Sequence, residues 1–279
     1  MTHSIKLIAL DLDGTLLDDE KHLSSANRDA LEAAAKAGIY VVPATGRYYG
    51  VIPAFLRELP FLRYFITING AAIYDAKEDR TLHRAEIAME DAERVWDYLA
   101  NLPVIYDCYQ RNLGWISSEF YSLIDVYTGG GILAETTRMH RIPVEHFREE
   151  MRRRNEPVQK IQAFFRDADL PLRNQEFLRM PQVFPGLSIS SANYNNIEVN
   201  ALDATKGRAL SVLRNFLQLP PEAVMAFGDN TNDLSMLQAA GVGVAMGNGD
   251  PSAKAAADII APSNNESGVA AVLRQYVLA

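Results

Sequence analysis

The chain has 279 residues, 48% hydrophobic and 22% charged, the composition of a soluble globular protein with a substantial core. At ~100–200 residues per domain, this length holds one large or two modest domains. The formal net charge of −8 argues against nucleic acid, whose phosphate backbone calls for a basic footprint, but not against a small anion bound through a metal ion. A single cysteine, Cys108, excludes an internal disulfide and a cysteine zinc cluster, and a structural thiol is expected. The start, Met1 to Gly14, has too short an apolar run for a signal peptide and meets acids at once. No stretch approaches ~18 consecutive apolar residues, so no membrane-spanning helix is expected and a cytoplasmic enzyme fits.

In chain order, Ile5–Leu10 is an unbroken apolar run ending abruptly in Asp11, the pattern of a strand buried on both faces. Ser25–Ala37, rich in Ala, Leu and Glu and stopped by Gly38, predicts a helix. A strand over Ile39–Val42, a helix over Arg47–Glu58 perturbed by Pro53, and a strand over Tyr64–Ile68 complete a βαβαβ opening with parallel strands. Asn69-Gly70 is a turn dipeptide. From His83 to Asn195 the order is irregular. Strands Val104–Tyr109 and Val158–Phe165 mix with helices Glu90–Asn101 and Glu145–Arg153, which indicates a separate α+β unit with an antiparallel sheet.

Regular alternation returns near Ile197. Lys206–Gln218 places Ala209, Leu210, Leu213, Phe216 and Leu217 on one helical stripe. Val224–Phe227 is a strand, Asn230–Ala240 a helix and Val242–Met246 a strand. Pro251–Ala257 is a short helix, Asp258–Ala261 a last strand and Glu266–Leu278 a closing helix. The expected architecture is therefore an α/β core with a parallel sheet, built from residues 1–82 and 197–279, with residues 83–196 inserted as an α+β domain. Arg152-Arg153-Arg154 reads as a solvated helix face. The five histidines (His3, His22, His83, His140 and His146) have no metal-ligand spacing.

Four short motifs fall where a strand ends or a helix opens. Asp11-Leu12-Asp13-Gly14-Thr15-Leu16 places two carboxylates at the C-terminal end of a buried strand, where open α/β sheets bind ligands. Ala44-Thr45-Gly46-Arg47 offers a hydroxyl and backbone N–H groups to a phosphate oxygen, although a Thr helix cap explains it better when taken alone. Thr205-Lys206-Gly207 sets a lysine at a helix start, against the macrodipole, which suits neutralising a bound phosphate as well as it suits a solvated Lys. Gly228-Asp229-Asn230-Thr231-Asn232-Asp233 puts two acids four residues apart, fit either to cap a helix or to hold a hard cation such as Mg²⁺. Together the four supply a nucleophile, an acid, a hydroxyl, a cation and metal ligands, the parts needed for phosphoryl transfer.

This set, DLDGTL at Asp11–Leu16, TGR at Thr45–Arg47, KG at Lys206–Gly207 and GDNTND at Gly228–Asp233, resembles the haloacid dehalogenase superfamily. The long insert resembles the α/β (type IIB) cap of its Cof-type phosphatases. Ala245-Met246-Gly247-Asn248, Lys254, Ala257-Asp258 and Gly268-Val269 fit the same pattern. The resemblance implies a Rossmann-like core and Mg²⁺-dependent hydrolysis of a phosphomonoester through an aspartyl-phosphate. Asp11 would be the nucleophile and Asp13 the general acid and base. Asp11, Asp229 and the Asp13 backbone carbonyl would bind Mg²⁺. Thr45, Gly46 and Lys206 would hold the phosphoryl oxygens, and Asp233 and Asn232 would orient the metal ligands. The segment at Asn69-Gly70-Ala71 would approach the mouth of the active site.

Two departures bear on substrate preference: Leu202-Asp203-Ala204, where the family more often has glycine and no acid, and Gly249 in place of a small Ala. The expected partner is a small phosphorylated metabolite, such as a sugar phosphate, pyridoxal phosphate or a nucleotide. Two alternatives share the Asp11 chemistry: a sugar phosphomutase, and a non-catalytic receiver-like module phosphorylated on Asp11. In the insert, a packing role is expected for Tyr106, Tyr109, Arg111 and Trp115 ahead of substrate selection.

Overall fold

The computed structural model describes residues 4–191 and 193–278. They fall into two compact units, one within residues 1–84 and 205–279 and one within residues 85–204. The six-residue strand Asn196–Ala201 belongs to the second unit's sheet, so that unit extends past residue 196 to Ala204.

In the first unit, β1 (Leu7–Leu10) leads through α1 (Ser25–Lys36) to β2 (Tyr40–Pro43). Ser24 caps α1 by accepting from the Asn27 N–H. The expected helix over Arg47–Glu58 is broken into a 3₁₀ turn (Tyr49–Val51) and a single turn, α2 (Ala54–Arg57). Pro53 is the cause: its ring holds the preceding residue extended and its nitrogen donates nothing. Next comes β3 (Tyr64–Thr67), touching β2 by single bridges and continuing as an antiparallel meander with β4 (Ala72–Asp75) and β5 (Arg80–Arg84).

The second unit runs through α3 (Met89–Leu99), β6 (Val104–Gln110), β7 (Leu113–Ser117), α4 (Ser118–Ser122), α5 (Ile124–Thr128), α6 (Gly131–Met139) and β8 (Ile142–Val144). It continues with α7 (Phe147–Arg154), β9 (Lys160–Phe165), α8 (Leu170–Val183), β10 (Leu187–Ser190) and β11 (Asn196–Ala201). Its sheet has the order β10-β11-β9-β6-β7-β8 and is antiparallel except where β7 meets β8. Alternate residues of β6, β9 and β11 pack Tyr106, Cys108, Ile161, Ala163, Ile197 and Val199 into one core with Trp96, Phe147 and Met151. The opposite face carries buried ion pairs, Asp107 with Arg141 at 2.6 Å and Lys160 with Glu198 at 2.8 Å, and the Tyr109 ring lies under both cations.

Tyr106 and Trp115 are core residues, as the sequence suggested, and Arg111 makes an exposed pair with Glu156. In the arginine run, Arg152 and Arg153 lie on a solvated helix face and pair with Glu93 and Glu150, whereas Arg154 is half-buried, pairs with Glu150 and stacks 3.8 Å from the centroid of the Trp115 ring. Burial pushes the Cys108 thiol well up, as suits an inert core residue.

The chain returns to the first unit with α9 (Lys206–Phe216), β12 (Val224–Gly228), α10 (Leu234–Ala239), β13 (Val242–Ala245), α11 (Pro251–Ala256), β14 (Ile259–Ile260) and α12 (Gly268–Tyr276). Its main sheet, β14-β13-β12-β1-β2, is parallel throughout. Ile8, Leu10, Val41, Met225 and Phe227 meet α1 and α12 on one face. Leu7, Ala9, Val42, Val224 and Ala226 meet α9 and α10 on the other. Burial on both faces is why these strands read as unbroken apolar runs. No helix among the described residues is long and apolar enough to cross a membrane.

Both tryptophans of the chain, Trp96 and Trp115, lie in the second unit. Trp96 is fully buried, edge-on to Phe147 with ring centroids 5.4 Å apart. Trp96→Ala should cost that unit about 3–5 kcal/mol, measured as a lower urea midpoint by the fluorescence of the remaining Trp115.

Candidate active site

Register puts the motifs together. Leu10 of β1 pairs with Phe227 of β12 and with Pro43 of β2, so three parallel strands end at one level. Asp11, Ala44-Thr45 and Gly228-Asp229 follow directly, at the carboxyl edge where such sheets bind ligands. Gly14 turns the chain with φ +88°, and a Cβ there would sit 2.6 Å from an oxygen of Asp229. Only glycine fits both demands. Thr15, next to it, donates to Asp229 Oδ1 at 2.6 Å.

Lys206 ties the site together. It is fully buried at the start of α9, and its Nζ lies 2.5 Å from Asp11 Oδ1 and 2.7 Å from Asp233 Oδ1. Burial alone would lower its pKa, but the two carboxylates more than offset that and raise it, so the ammonium stays charged. Thr205, rather than Lys206, caps the helix, accepting from the Arg208 N–H. Asp233 is also fully buried, and its second oxygen accepts from the N–H groups of Asp229 and Asn230 at 3.0 Å each. Both Asp233 oxygens are thus committed inside the protein. The helix expected over Asn230–Ala240 begins instead with this capped 3₁₀ turn, Thr231–Asp233.

Asp11 and Asp229 are left open. Asp11 Oδ2 accepts no hydrogen bond from the described residues, and neither does Asp229 Oδ2. Asp11, Asp229 and Asp233 each offer an oxygen within 4.8 Å of the others. Burial, with the crowding of these acids, raises the Asp11 pKa well above its usual value and pushes Asp229 up to about 6. When all three are ionised, the carboxylates outnumber the single ammonium by two negative charges. An all-oxygen donor set with that charge fits a hard divalent cation, and among the described residues it is the only such acidic group. The histidines play no part in it, and His3 lies outside the described residues.

Asp13 lies on the open side, its side chain 36% exposed. Arg47 forks onto it, with Nε 2.9 Å from Oδ2 and one terminal nitrogen 2.8 Å from Oδ1, and Lys21 stands 3.0 Å away. Burial pushes the Asp13 carboxyl up, but these cations hold it below its usual value. The sequence did not single out Lys21, and nothing in its local pattern marks it. Thr45 is buried, and its hydroxyl oxygen accepts from the Arg47 N–H at 3.2 Å, which leaves its proton to donate. Asn232 reaches Asn69 at 3.3 Å. Asp203 is exposed in the turn that precedes Thr205. Lys206→Met would strand two buried carboxylates, so its urea unfolding free energy should fall by about 3–5 kcal/mol, and an unchanged midpoint would contradict this account of the cluster.

Residues 8–273 match the model of the haloacid dehalogenase-like hydrolase family. The chain is 33% identical over 278 residues to the 5-amino-6-(5-phospho-D-ribitylamino)uracil phosphatase YcsE of Bacillus subtilis (strain 168), covering 98% of this chain and 96% of the relative. It is 28% identical to the pyridoxal phosphate phosphatase YbhA of Escherichia coli (strain K12), covering 98% and 99%. Among solved structures, a haloacid dehalogenase-like hydrolase from B. subtilis superposes with a TM-score of 0.83 at 30% identity, over 98% of this chain and all of that one. With the matched model running nearly end to end through the strand-end motifs, the chain belongs to the haloacid dehalogenase-like hydrolase family.

Proposed function

We propose that this haloacid dehalogenase-type phosphatase hydrolyses phosphomonoesters of small metabolites, with Asp11 as the nucleophile. The observation that carries this reading is the division of labour at Asp11: one oxygen is held by Lys206 while the other has no partner among the described residues. In the first step Asp11 Oδ2 bonds to phosphorus, the ester P–O bond breaks, and Asp13 gives a proton to the departing alkoxide. In the second, water attacks the aspartyl-phosphate, Asp13 takes the water's proton, and the Asp11 carboxylate is released with inorganic phosphate. Splitting one displacement into two suits a reaction whose uncatalysed rate is among the slowest known.

Thr45, the Gly46 N–H and Lys206 are the groups that hold the phosphoryl oxygens, so the charge they carry in the transition state meets donors already in place. Asp11 and Asp229, with the Asp13 backbone carbonyl, would hold Mg²⁺, which when bound supplies the two missing positive charges. Asp233 keeps Lys206 and the Asp229 loop in position without being a ligand itself, since both its oxygens are occupied. The names of two relatives specify a phosphorylated ribitylaminouracil and pyridoxal phosphate, both small phosphorylated metabolites, which supports the substrate class.

The test is phosphate release from p-nitrophenyl phosphate and a panel of metabolite phosphates, with Mg²⁺ or EDTA. Turnover should require Mg²⁺ and vanish in Asp11→Asn. An isomerised sugar phosphate without free phosphate would instead make the enzyme a mutase, and a long-lived phosphorylated protein would make it a signalling module. Asp13→Asn should slow alkyl monoesters by ~10²–10⁴-fold. The loss should be smaller with p-nitrophenyl phosphate, whose leaving oxygen needs little protonation.

A further inference from the structure

Between β3 and β4 the backbone does something that L-residues avoid. Ile68 and Asn69 both adopt left-handed conformations, with φ +54° and +57°, and Gly70 follows at φ +100°. An asparagine tolerates that region, but a β-branched residue there is a true outlier, and such strain persists only where the surroundings over-determine it. The surroundings are specific. The Ile68 N–H donates to the Arg47 carbonyl and the Asn69 N–H to the Thr45 carbonyl, each at 3.0 Å. Ile68 itself is fully buried. Gly70 lies so close to the next motif that a Cβ would fall 2.2 Å from the Thr205 carbonyl oxygen and 3.0 Å from the Lys206 nitrogen.

The Asn69 side chain completes the junction. It is 5% exposed, and its Oδ1 accepts from Asn232 Nδ2 at 3.3 Å. The same oxygen lies 3.0 Å from where a Cβ on Gly46 would be. Three loops that reach the sheet edge from distant parts of the sequence, at 45–47, 205–206 and 232, therefore converge on three consecutive residues. A plain turn between two antiparallel strands needs none of this. Asn-Gly in a two-residue hairpin would leave its side chain in solvent.

We infer that Asn69 is a positioning residue for the phosphoryl-binding groups. The left-handed Ile68–Asn69 backbone fixes the Thr45–Arg47 segment through two carbonyls, one held by each residue, and the Asn69 carboxamide links that segment to Asn232. Gly70 seats the junction on the start of α9, where Lys206 emerges. The inference rests on the phosphatase reading, because it assigns Asn69 to the alignment of those phosphate-binding groups. Asn69 touches no reacting atom in this account.

Asn69→Gly is the informative variant, because glycine adopts the left-handed backbone freely and only the carboxamide is lost. With p-nitrophenyl phosphate and Mg²⁺, its kcat/KM should fall on the order of 10–100-fold, as a misplacement below 1 Å commonly produces. Orthovanadate, which occupies a phosphoryl site, should inhibit it more weakly in proportion, while its melting temperature stays at the wild-type value. Because the two carboxamides share a hydrogen bond, Asn69→Gly combined with Asn232→Ala should lose less activity than the product of the two single losses. Wild-type kcat/KM and vanadate inhibition in Asn69→Gly would overturn the inference alone. So would additive losses in the double variant, or a loss that merely tracks a lower melting temperature. Absence of phosphate release by the wild type from every ester tested would overturn the phosphatase reading, and this inference with it.

Discussion

The site depends on a single buried cation. Lys206 lies at the beginning of a helix, where the macrodipole disfavours positive charge, and it is removed from water altogether. Both costs are offset only because Asp11 and Asp233 stand within hydrogen-bond distance. The arrangement is reciprocal. Without the ammonium, Asp11 and Asp233 would be two acidic groups buried side by side with no positive partner, which burial penalises. Asp233 passes the constraint on through its second oxygen, which gathers the N–H groups of Asp229 and Asn230. One ion triad thus fixes Asp11 at the end of β1, the loop after β12 and the start of α9.

The sheet makes that triad possible. Three strands ending in register deliver loops from positions near 11, 45 and 229 to one edge, although they are far apart along the chain. The helices on both faces keep water from the backbone beneath. The loops above are then closed by contacts that allow no side chain, as at Gly14 against Asp229. Rigid strand ends with tightly packed loops hold charged groups at fixed separations, which is the condition for electrostatic preorganisation.

Much of this was legible in the sequence, and unevenly so. The apolar runs before Asp11 and Asp229 read clearly because strands buried on both faces cannot hide their pattern. Acids ending such runs have few bland explanations. Local pattern failed where tertiary contacts decide. The segment after Thr45 has the composition of a helix, yet Pro53 and the pull of the loop towards β3 leave it mostly irregular. The strand Asn196–Ala201 looks like a return to the parallel core, but it pairs antiparallel with β9 and β10. The burial of Lys206 could not be read from a motif that a solvated lysine satisfies equally. Lys21 approaches Asp13 only through the fold, with no local signal at all.

Asp13 is asked to do two opposite things in the proposed cycle, and its surroundings favour one of them. A general acid should be protonated when the ester arrives, whereas Arg47 and Lys21 hold Asp13 as a carboxylate. The carboxylate is the form that takes a proton from water in the second step. For the first step the clamp must loosen or be outweighed, and the bound phosphate dianion offers a means, because its negative charge competes for the same guanidinium and ammonium. A phosphoryl group drawing Arg47 or Lys21 towards itself would raise the affinity of Asp13 for a proton just when a leaving oxygen is present to receive it. Loss of the alcohol and attack by water then restore the original balance. On this view Arg47 would be more than a structural partner of Asp13: the pairing would couple the protonation of that carboxylate to the presence of a phosphate ester in the site.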